Sequence, residues 1–544
     1  MTTPYCLDYC GLIPSPLMSR YIATRPSVAQ GWRLDRVTAP SRLFGANGLR
    51  TGPDGRIYVA QVTGSQISAL DPVTGELATV AAKGGDIIAP DDVAFDAAGN
   101  LYATEVMDGR VSVLDTAGRT RVLRDDLPSA NGITVHQDRV FVNECRDGGR
   151  LMELDRDGGV VRVLLEDLPS PNAMEIGPDG MLYFPVLSAN EIWRVDPNGG
   201  EPQRVAAGLG VPDAVKFDAD GFMVSTQVAS GQVLRIDPRS GEQRVLAQLT
   251  PGLDNLTFVG NRLFASHFTG EITEILPDGS TRALLPGGLN WPLDLAVGDD
   301  GRLYIADGTY LYAVGADGGL QTVGMLFSPG YPGFLRGLAP CGAGEFVVTT
   351  SGGQISRYAP ARAETEVLAD GFDQLYGVAV DGDTVVAAEL GSGRVLAVRA
   401  GGVETLATGL LDPVGVAMAP GGGVLVSESA AGRVVKLTGS MVEVVADGLG
   451  CPQGIVVADG RLYVVDAGSK EIVVFDLNSK ARTSIAWDLP IGAPPGVAPK
   501  PLKGLPPFSG PQGPFAGIAA APDGTLYVSA DGDGSVLALR RECS

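Results

Sequence analysis

The chain has 544 residues, of which 44% are hydrophobic and 19% are charged, and it contains 75 glycines. This composition is typical of a well-packed protein rich in tight turns and excludes an intrinsically disordered chain. The formal net charge is −22, with acidic residues scattered through turns, so the phosphates of nucleic acid and of anionic membranes would be repelled. We therefore expect a small-molecule substrate and neither nucleic acid nor a membrane as partner, and the sequence leaves the oligomeric state open.

The sequence contains no window close to the ~20 consecutive apolar residues that span a bilayer. Its first ten residues lack the basic leader and apolar core of a secretory signal. We accordingly expect a cytoplasmic protein.

The N-terminal segment, residues 1–40, contains one alternating stretch at residues 32–37, which predicts a short β-strand. From residue 41 onward the chain consists of twelve copies of a unit of roughly 40 residues. Each copy begins with a leading residue, continues with Gly or Ala and alternating apolar residues, and turns at a sequence such as Pro53-Asp54-Gly55. Further alternating runs joined by glycine turns predict a four-stranded antiparallel meander for each copy. Radial stacking of such sheets covers both of their faces, so the predicted fold is an all-β propeller architecture.

The leading residue divides the copies into two halves. In the first six copies it is always polar: Asn47, Asp91, Asn131, Asn172, Asp213 and Asp254. In the last six it is Leu293, Arg336, Tyr376, Val414, Gln453 and Ala516. Propellers usually have about 4–8 blades. We therefore predict two six-bladed β-propellers in tandem, over residues 41–289 and 290–544, rather than one ring of twelve blades.

The last copy supplies only three strands before the chain ends, so we expect the strand at residues 32–37 to complete it as the outer strand. A proline-rich insertion, residues 487–514, interrupts the last two copies. Long loops of this kind usually act as lids or linkers, and we expect this one to cover part of one propeller face.

A second set of residues is predicted at the same end of the first propeller. The second strand of each blade returns antiparallel to the first, so a residue 13 or 14 positions after the leading residue lies at the same end of the sheet. In the first six copies these return residues are Gln61, Glu105, Glu144, Val186, Gln227 and His267. Together with the leading residues they predict a channel mouth dominated by oxygen ligands.

Carboxylate and amide oxygens are the ligands preferred by hard cations, so we expect a divalent metal, Ca²⁺ foremost, with Mg²⁺, Mn²⁺ or Zn²⁺ as alternatives. The alternative for each single Asn or Asp is a turn cap bonded to backbone N–H groups. The second half builds the same turns with Leu, Tyr, Val and Ala, which favours a function for the polar ring. The metal ligands are expected among Asn131, Asn172, Asp213, Glu105 and Glu144.

Three entries of the first half, Ala130-Asn131-Gly132-Ile133, Pro171-Asn172-Ala173-Met174 and Pro212-Asp213-Ala214-Val215, are followed by turns and alternating strands. They resemble the six-bladed propellers of the gluconolactonase/regucalcin (senescence-marker-protein) family, and the repeat more weakly resembles NHL propellers. The resemblance implies a divalent metal, with Asn131 and Asn172 as its ligands or as substrate contacts and with Asp213 as both ligand and base. The family's first-blade Glu has no counterpart, because Asn47 stands there.

We therefore predict a divalent-metal-dependent hydrolase of a lactone or similar ester, with its active site in the first propeller. The predicted catalytic residues are Asp213, Glu144 and His267. The predicted substrate contacts are Asn47, Asp91, Gln61, Gln227 and Asp254. One alternative is a metal-assisted isomerase or lyase in which Asp213 or Glu144 removes a proton and His267 returns it. The other is a non-catalytic propeller scaffold that binds a ligand or a protein.

Overall fold

The structure, a computed structural model, describes residue 20 and residues 24–542. This part of the chain forms twelve antiparallel sheets. Eleven have four strands, one of them completed by a strand from the N-terminal segment, and the twelfth has five because a second N-terminal strand is added to it. Two single-turn 3₁₀-helices, Leu187–Ala189 and Pro360–Arg362, interrupt the strands. Among the described residues, no helix is long and apolar enough to cross a membrane.

The first six sheets are the blades of the first ring. Their inner strands are Leu49–Thr51, Pro90–Phe95, Ala130–His136, Glu175–Ile176, Pro212–Phe217 and Leu253–Val259. Their second strands are Ile57–Gln61, Leu101–Glu105, Arg139–Glu144, Leu182–Val186, Met223–Gln227 and Arg262–His267. Their third strands are Gln66–Leu70, Arg110–Leu114, Asp147–Leu154, Glu191–Val195, Gln232–Ile236 and Ile272–Ile275. Their outer strands are Leu77–Ala81, Thr120–Arg124, Val160–Pro169, Gln203–Ala206, Gln243–Gln248 and Thr281–Leu285.

The last six sheets are the blades of the second ring. Their inner strands are Leu295–Val297, Leu335–Gly342, Leu375–Asp381, Pro413–Met418, Pro452–Ala458 and Ile518–Ala520. Their second strands are Leu303–Asp307, Glu345–Thr350, Thr384–Glu389, Val424–Glu428, Arg461–Asp466 and Leu526–Ala530. Their third strands are Tyr310–Val314, Ile355–Ala359, Arg394–Arg399, Arg433–Thr438, Glu471–Asp476 and Ser535–Arg541. Their outer strands are Leu320–Met325, Glu364–Ala369, Gly402–Ala407, Met441–Ala446, Arg482–Trp487 and the N-terminal Trp32–Arg36.

Each ring closes on itself through its inner strands. The inner strand of blade 6 contacts that of blade 1, and the inner strand of blade 12 contacts that of blade 7. The Ser266 hydroxyl donates a hydrogen bond to the Asn47 carbonyl at 2.6 Å, and the Gly517 amide donates to the Leu293 carbonyl at 2.9 Å. The chain is therefore an all-β protein of two six-bladed propellers in tandem, as the sequence predicts.

The glycine that follows many leading residues is explained by the crowding of inner strands around the ring axis. A Cβ atom on Gly132 would lie 2.5 Å from the Asn172 carbonyl oxygen of the next blade. In the second ring, a Cβ atom on Gly415 would lie 2.2 Å from the Gln453 carbonyl oxygen. Both distances are far below van der Waals contact, so only glycine permits this approach.

The last blade takes its outer strand from the start of the described chain. Trp32–Arg36 pairs antiparallel with Ser535–Arg541, in the register Leu34 opposite Leu539. A preceding two-residue strand, Ser27–Val28, adds a fifth strand to the neighbouring blade. Since this pairing removes an exposed sheet edge, the N-terminal segment becomes part of the second ring.

The two rings contact each other through the ends at which the inner strands begin. One apolar cluster combines Val62, Val106 and Met107 of the first ring with Leu293 and Tyr376 of the second. Leu502 from the proline-rich insertion is buried in the same cluster. The mouth of each ring is therefore partly covered by the other ring.

The insertion lies between the rings and is held by both. Its bridges Leu502 to Gln512 and Leu505 to Ser509 form a small hairpin. Arg336 donates to the Gly513 carbonyl at 2.6 Å, and the Tyr376 hydroxyl accepts from the Gly513 amide at 3.0 Å. The hairpin thus closes the mouth of the second ring.

We predict that Leu34→Ala lowers the free energy of unfolding by about 1–3 kcal/mol, because Leu34 packs against the core of the last two blades. Arg33→Ala is the matched control. Its side chain on the same strand is 60% exposed, so a change within about 0.5 kcal/mol is expected. Urea denaturation measures both, and equal stabilities of the two variants would contradict the closing role of this strand.

Candidate functional site

The six polar leading residues of the first ring form the floor of one chamber. The chamber has a volume of about 130 Å³. Met107 and Cys145 stand beside the floor, and Phe268 lies at its edge. Val62, Thr63 and Leu187 of the first ring also line the chamber. The remaining lining comes from the second ring and the insertion: Asn290, Thr309, Leu326, Phe327, Phe334, Leu505, Phe508 and Ser509. The second ring and the insertion therefore form a roof over the mouth of the first ring. The sequence predicts that residues 487–514 cover part of one propeller face, and the second ring adds to this cover.

Neighbouring blades fix the position of the floor. The Thr104 hydroxyl donates to the Asn131 carbonyl at 2.5 Å, and the Asn143 amide donates to the Asn172 carbonyl at 2.7 Å. The Thr226 hydroxyl donates in the same way to the Asp254 carbonyl. Each donor directly precedes a return residue, so the end of one blade's second strand holds the leading residue of the next blade.

Asparagine and aspartate side chains pair across the floor. Asn47 Nδ2 donates to Asp254 Oδ2 at 3.0 Å, and Asn172 Nδ2 donates to Asp213 Oδ2 at 3.1 Å. The amide oxygens of Asn47 and Asn172 accept from backbone N–H groups, as turn caps do. Asn131 differs, because its Oδ1 is buried and has no hydrogen-bond partner. Capping therefore explains part of the ring and leaves Asn131 free to bind a ligand.

The three floor carboxyls are buried together, and each carries a raised pKa. Burial, followed by repulsion from Asp92, raises the pKa of Asp91 to about 7. Burial and the neighbouring Asp91 raise the pKa of Asp213 well above its usual range. Burial and repulsion from Asp213 and Asp91 do the same for the pKa of Asp254. At neutral pH the floor therefore holds both protons and negative charge, which is the condition for acid and base catalysis in one site.

Cys145 does not supply a reactive thiolate. Burial and the charges of Asp213, Asp91 and Asp254 raise the pKa of the Cys145 thiol well above its usual range. The thiol is consequently neutral at physiological pH and acts as a wall of the chamber.

A charged layer closes the channel below the floor. Arg50 Nη1 lies 2.6 Å from Glu175 Oε2, and Lys216 Nζ lies 3.1 Å from the same oxygen. Burial opposes the charge on Glu175, but Lys216 and Arg50 lower the pKa of that carboxyl to about 2. Asp92 lies above this layer. Burial raises the pKa of Asp92, and the charges of Arg50 and Lys216 partly offset this effect. Sequence reasoning missed this layer, although charged residues three positions after a leading residue break the apolar alternation of an inner strand.

The structure does not bring Glu105 and Glu144 to the chamber, which corrects their prediction as ligands and of Glu144 as a catalytic residue. Glu105 accepts from the Ile88 amide at 2.5 Å and pairs with Arg110 at 2.6 Å. Glu144 pairs with Arg150 and with Arg146. The return strand does end at the same side of the ring, but it lies one strand farther from the axis, so these carboxylates bind the blade's own loops.

The other return residues are also structural. Gln61 accepts from the Phe44 amide at 2.9 Å, and Gln227 accepts from the Gly210 amide at 2.9 Å. His267 contacts Thr250, Thr269 and the Pro251 carbonyl at 2.9–3.2 Å. Burial lowers the pKa of His267, so the ring is neutral at physiological pH. Gln61 and Gln227 as substrate contacts and His267 as a catalytic residue are therefore corrected as well.

The second ring uses its return carboxylates in the same way. Asp466 accepts from the Gly450 and Cys451 amides at 2.8 and 2.7 Å, and Glu428 accepts from the Leu411 amide at 2.9 Å. Recurrence of this bond in both rings shows that it stabilises a blade and carries no chemistry of its own.

The donor set of the floor fits a hard cation. Within the described residues, no three His, Cys, Asp or Glu side chains form a metal site by themselves. Asn131 nevertheless presents an unpartnered buried oxygen, and Asp213 lies in a ring of like-charged carboxyls that a cation would stabilise. Amide and carboxylate oxygens completed by water are ligands for Ca²⁺ or Mg²⁺. Of the predicted ligands, Asn131, Asn172 and Asp213 remain at the chamber.

Residues 29–265 match the family model described as the SMP-30/Gluconolactonase/LRE-like region. The match spans most of the first ring and confirms the resemblance seen in the sequence. The part of the chain that forms most of the first propeller is thus similar to this family.

Three solved structures illustrate what the chain is similar to. A streptogramin B lyase is 19% identical, with a TM-score of 0.38 over 51% of this chain and 94% of its own. A catalytically inactive virginiamycin B lyase from Staphylococcus aureus with quinupristin is 16% identical, with a TM-score of 0.37 over 51% and 96%. A protein assigned as a gluconolactonase is 17% identical, with a TM-score of 0.37 over 49% and 99%. A comparison with curated proteins gives no significant match.

We predict that Asp91→Asn stabilises the cation-free protein at pH 8 but not at pH 4. In the folded protein the pKa of Asp91 is about 7, above the ordinary 3.8. Burial favours the protonated carboxyl, so the folded state is most stable at low pH and loses stability as the pH rises through about 7 and Asp91 ionises. An amide at this position removes that loss, and a gain of about 1–3 kcal/mol at pH 8 is expected. Urea denaturation in chelator at both pH values measures it, and a gain of equal size at both would contradict the burial of a charge at Asp91.

Proposed function

We propose that the first propeller hydrolyses a lactone or a similar ester in the chamber between the two rings. The observation that carries the proposal is the group of three buried carboxyls with raised pKa values beside the unpartnered Asn131 oxygen, in a space closed by the second ring. Lactonase-like character of the first propeller supports the same reaction class. Hydrolysis of an ester needs a base for water and a donor for the leaving oxygen, and the chamber offers residues for both.

Asp213 is the base in this proposal. The Asn172 amide holds Asp213 Oδ2, which leaves Oδ1 to accept a proton from water. A raised pKa makes the ionised Asp213 carboxylate a stronger base than an ordinary aspartate. The water oxygen adds to the carbonyl carbon while its proton passes to Asp213.

Asp254 is the proposed proton donor. Its raised pKa keeps it protonated when an ordinary aspartate is ionised. Asn47 holds Asp254 Oδ2, so the other oxygen is free to give its proton to the ring oxygen as the carbon–oxygen bond breaks. The products are a hydroxyl group and a carboxylic acid. Asp213 then releases its proton to solvent and Asp254 takes one up from solvent, which restores both side chains.

A divalent cation, Ca²⁺ foremost, would be held by Asn131, Asn172 and Asp213. When bound, it would polarise the substrate carbonyl and stabilise developing negative charge on its oxygen.

Two of the residues that the isomerase or lyase alternative requires lie outside the chamber. It requires a proton taken by Asp213 or Glu144 and returned by His267, and the side chains of Glu144 and His267 are engaged in bonds outside the chamber. Hydrolysis needs only residues of the floor, and for that reason we favour it.

We predict that Asp213→Asn lowers kcat/KM for lactones by about 10²–10⁴, because an amide cannot accept the proton of water. Asp466→Asn, the matched control in the second ring, is expected to change kcat/KM less than threefold and to cost about 1 kcal/mol of stability through its loop bonds. Steady-state kinetics with a lactone panel measures both, and full activity of Asp213→Asn would contradict the assignment of the base.

We predict that Ca²⁺ raises the free energy of unfolding by about 2.7 kcal/mol at 100 times its Kd. Asn131→Ala is expected to abolish most of this gain, whereas Asn261→Ala, at an exposed turn, is expected to keep it. Thermal melts with and without chelator provide the measurement. An absence of any shift with Ca²⁺, Mg²⁺, Mn²⁺ and Zn²⁺ would remove the cation from the proposal.

A further inference from the structure

The roof of the chamber is chemically opposite to its floor. Three aromatic rings meet there from three parts of the chain: Phe268 from the first ring, Phe327 from the second and Phe508 from the insertion. Phe268 and Phe327 stack with centroids 6.3 Å apart at 22°, and Phe327 meets Phe508 at 5.9 Å and 49°. Leu326 and Leu505 extend the same apolar surface. A ligand in the chamber therefore meets oxygen and amide groups at the floor and a mainly apolar surface at the roof, which also includes three polar side chains, those of Asn290, Thr309 and Ser509.

The insertion fixes the outer part of this roof. Leu505 and Ser509 bridge the hairpin, and the Ser351 hydroxyl of the second ring accepts from the Gly510 amide at 3.2 Å. Lys503 Nζ lies 3.3 Å from Asp108 Oδ1 of the first ring. Phe508 is therefore presented to the chamber from a segment attached to both propellers.

The size of the chamber limits the ligand. Its volume of about 130 Å³ is close to the ~150 Å³ of a cavity that accommodates benzene. A ring of five or six atoms with a short side chain fits such a space, and a long acyl chain does not.

The roof also disfavours a ligand that is polar on all sides. Hydroxyl groups turned toward Phe327 and Phe508 would lose their bonds to water without gaining partners. An unpaired buried hydroxyl is strongly penalised, whereas each buried methylene is favoured by a factor of roughly four in binding. A polyhydroxylated sugar lactone is consequently a poor match for this chamber.

We propose that the ligand is a small amphipathic cyclic ester, a five- or six-membered lactone carrying a short hydrocarbon substituent. The ester group faces Asn131, Asn172 and Asp213, and the substituent packs between Phe268, Phe327 and Phe508. The proposal rests on the hydrolytic function proposed above for its reaction, but the class of ligand is tested separately by binding.

The experiment uses γ-lactones substituted with hydrogen, methyl, ethyl, propyl, butyl and octyl groups, together with glucono-δ-lactone. For the full-length protein we expect kcat/KM to rise roughly three- to fourfold per carbon up to propyl or butyl and to fall for octyl. Glucono-δ-lactone is expected to be at least about tenfold poorer than the butyl compound. Calorimetric binding of the same series to Asp213→Asn should follow the same order.

Phe508→Ser is the test variant, and Leu505→Ser repeats the test at a second roof position. Both are expected to reduce the gain per carbon, measured as the ratio of kcat/KM between successive members of the series, to less than about twofold. Met441→Ser is the matched control, because its side chain is 68% exposed on an outer strand and far from the chamber in the fold. Melting curves identify a variant that fails to fold, in which case the other roof variant decides.

The outcomes separate the two proposals. Binding that rises with substituent length without turnover supports the ligand class and overturns hydrolysis. Turnover that is indifferent to the substituent, or that favours glucono-δ-lactone, overturns the ligand class and leaves hydrolysis standing. If kcat/KM rises per carbon as steeply in both Phe508→Ser and Leu505→Ser as in the wild type, the roof is not the surface that determines specificity.

Discussion

The central constraint in this molecule is the enclosure of Asp91, Asp213 and Asp254 in one chamber of low polarity. Like charges in such a space repel one another, and water cannot screen them. Arg50 and Lys216 lie below the floor, where they are already paired with Glu175. The floor therefore keeps protons that ordinary aspartates lose, and we propose that it binds a cation. Both properties suit a catalytic centre and neither helps the fold.

The second propeller changes what the first one can do. A single propeller would expose its polar mouth to solvent, which would lower the pKa values and weaken every bond at the floor. Here Phe327, Phe334 and the insertion cover part of it. The mouth of the second ring holds Arg336 over Tyr376 and Trp291 and is closed by the same insertion. The two rings therefore have unequal roles, one carrying polar groups and the other covering them.

The fold and the leading residues were predictable from sequence because both depend on a repeated local pattern. Alternation recurs in every copy, and Asp-Gly turns and a glycine at the crowded inner strand recur in many of them, so blade number and ring division follow from spacing. The polar ring follows from the same register. The return residues were predicted to reach the channel mouth and do not, because sequence spacing gives the end of the sheet at which a residue lies and not its distance from the ring axis. Glu105 and Glu144 lie at the expected end, but one strand too far out.

Other parts of the site had no signal in the repeat. Phe508 and Phe327 reach the chamber only because two rings and an insertion meet, and such contacts depend on the docking of separate units. The charged layer of Arg50, Glu175 and Lys216 had a faint signal, a charge within each inner strand, but its pairing spans three blades. Tertiary packing determined these features, whereas local rules determined the blades.

The most direct test of the account is a ¹³C NMR titration of the protein labelled at aspartate carboxyls, with signals assigned by Asp91→Asn, Asp213→Asn and Asp254→Asn. The account predicts that these three carboxyls titrate well above the ordinary aspartate range in chelator and shift to lower pH when Ca²⁺ is added. Titration of all three near the ordinary value of about 3.9, unaffected by the cation, would contradict it.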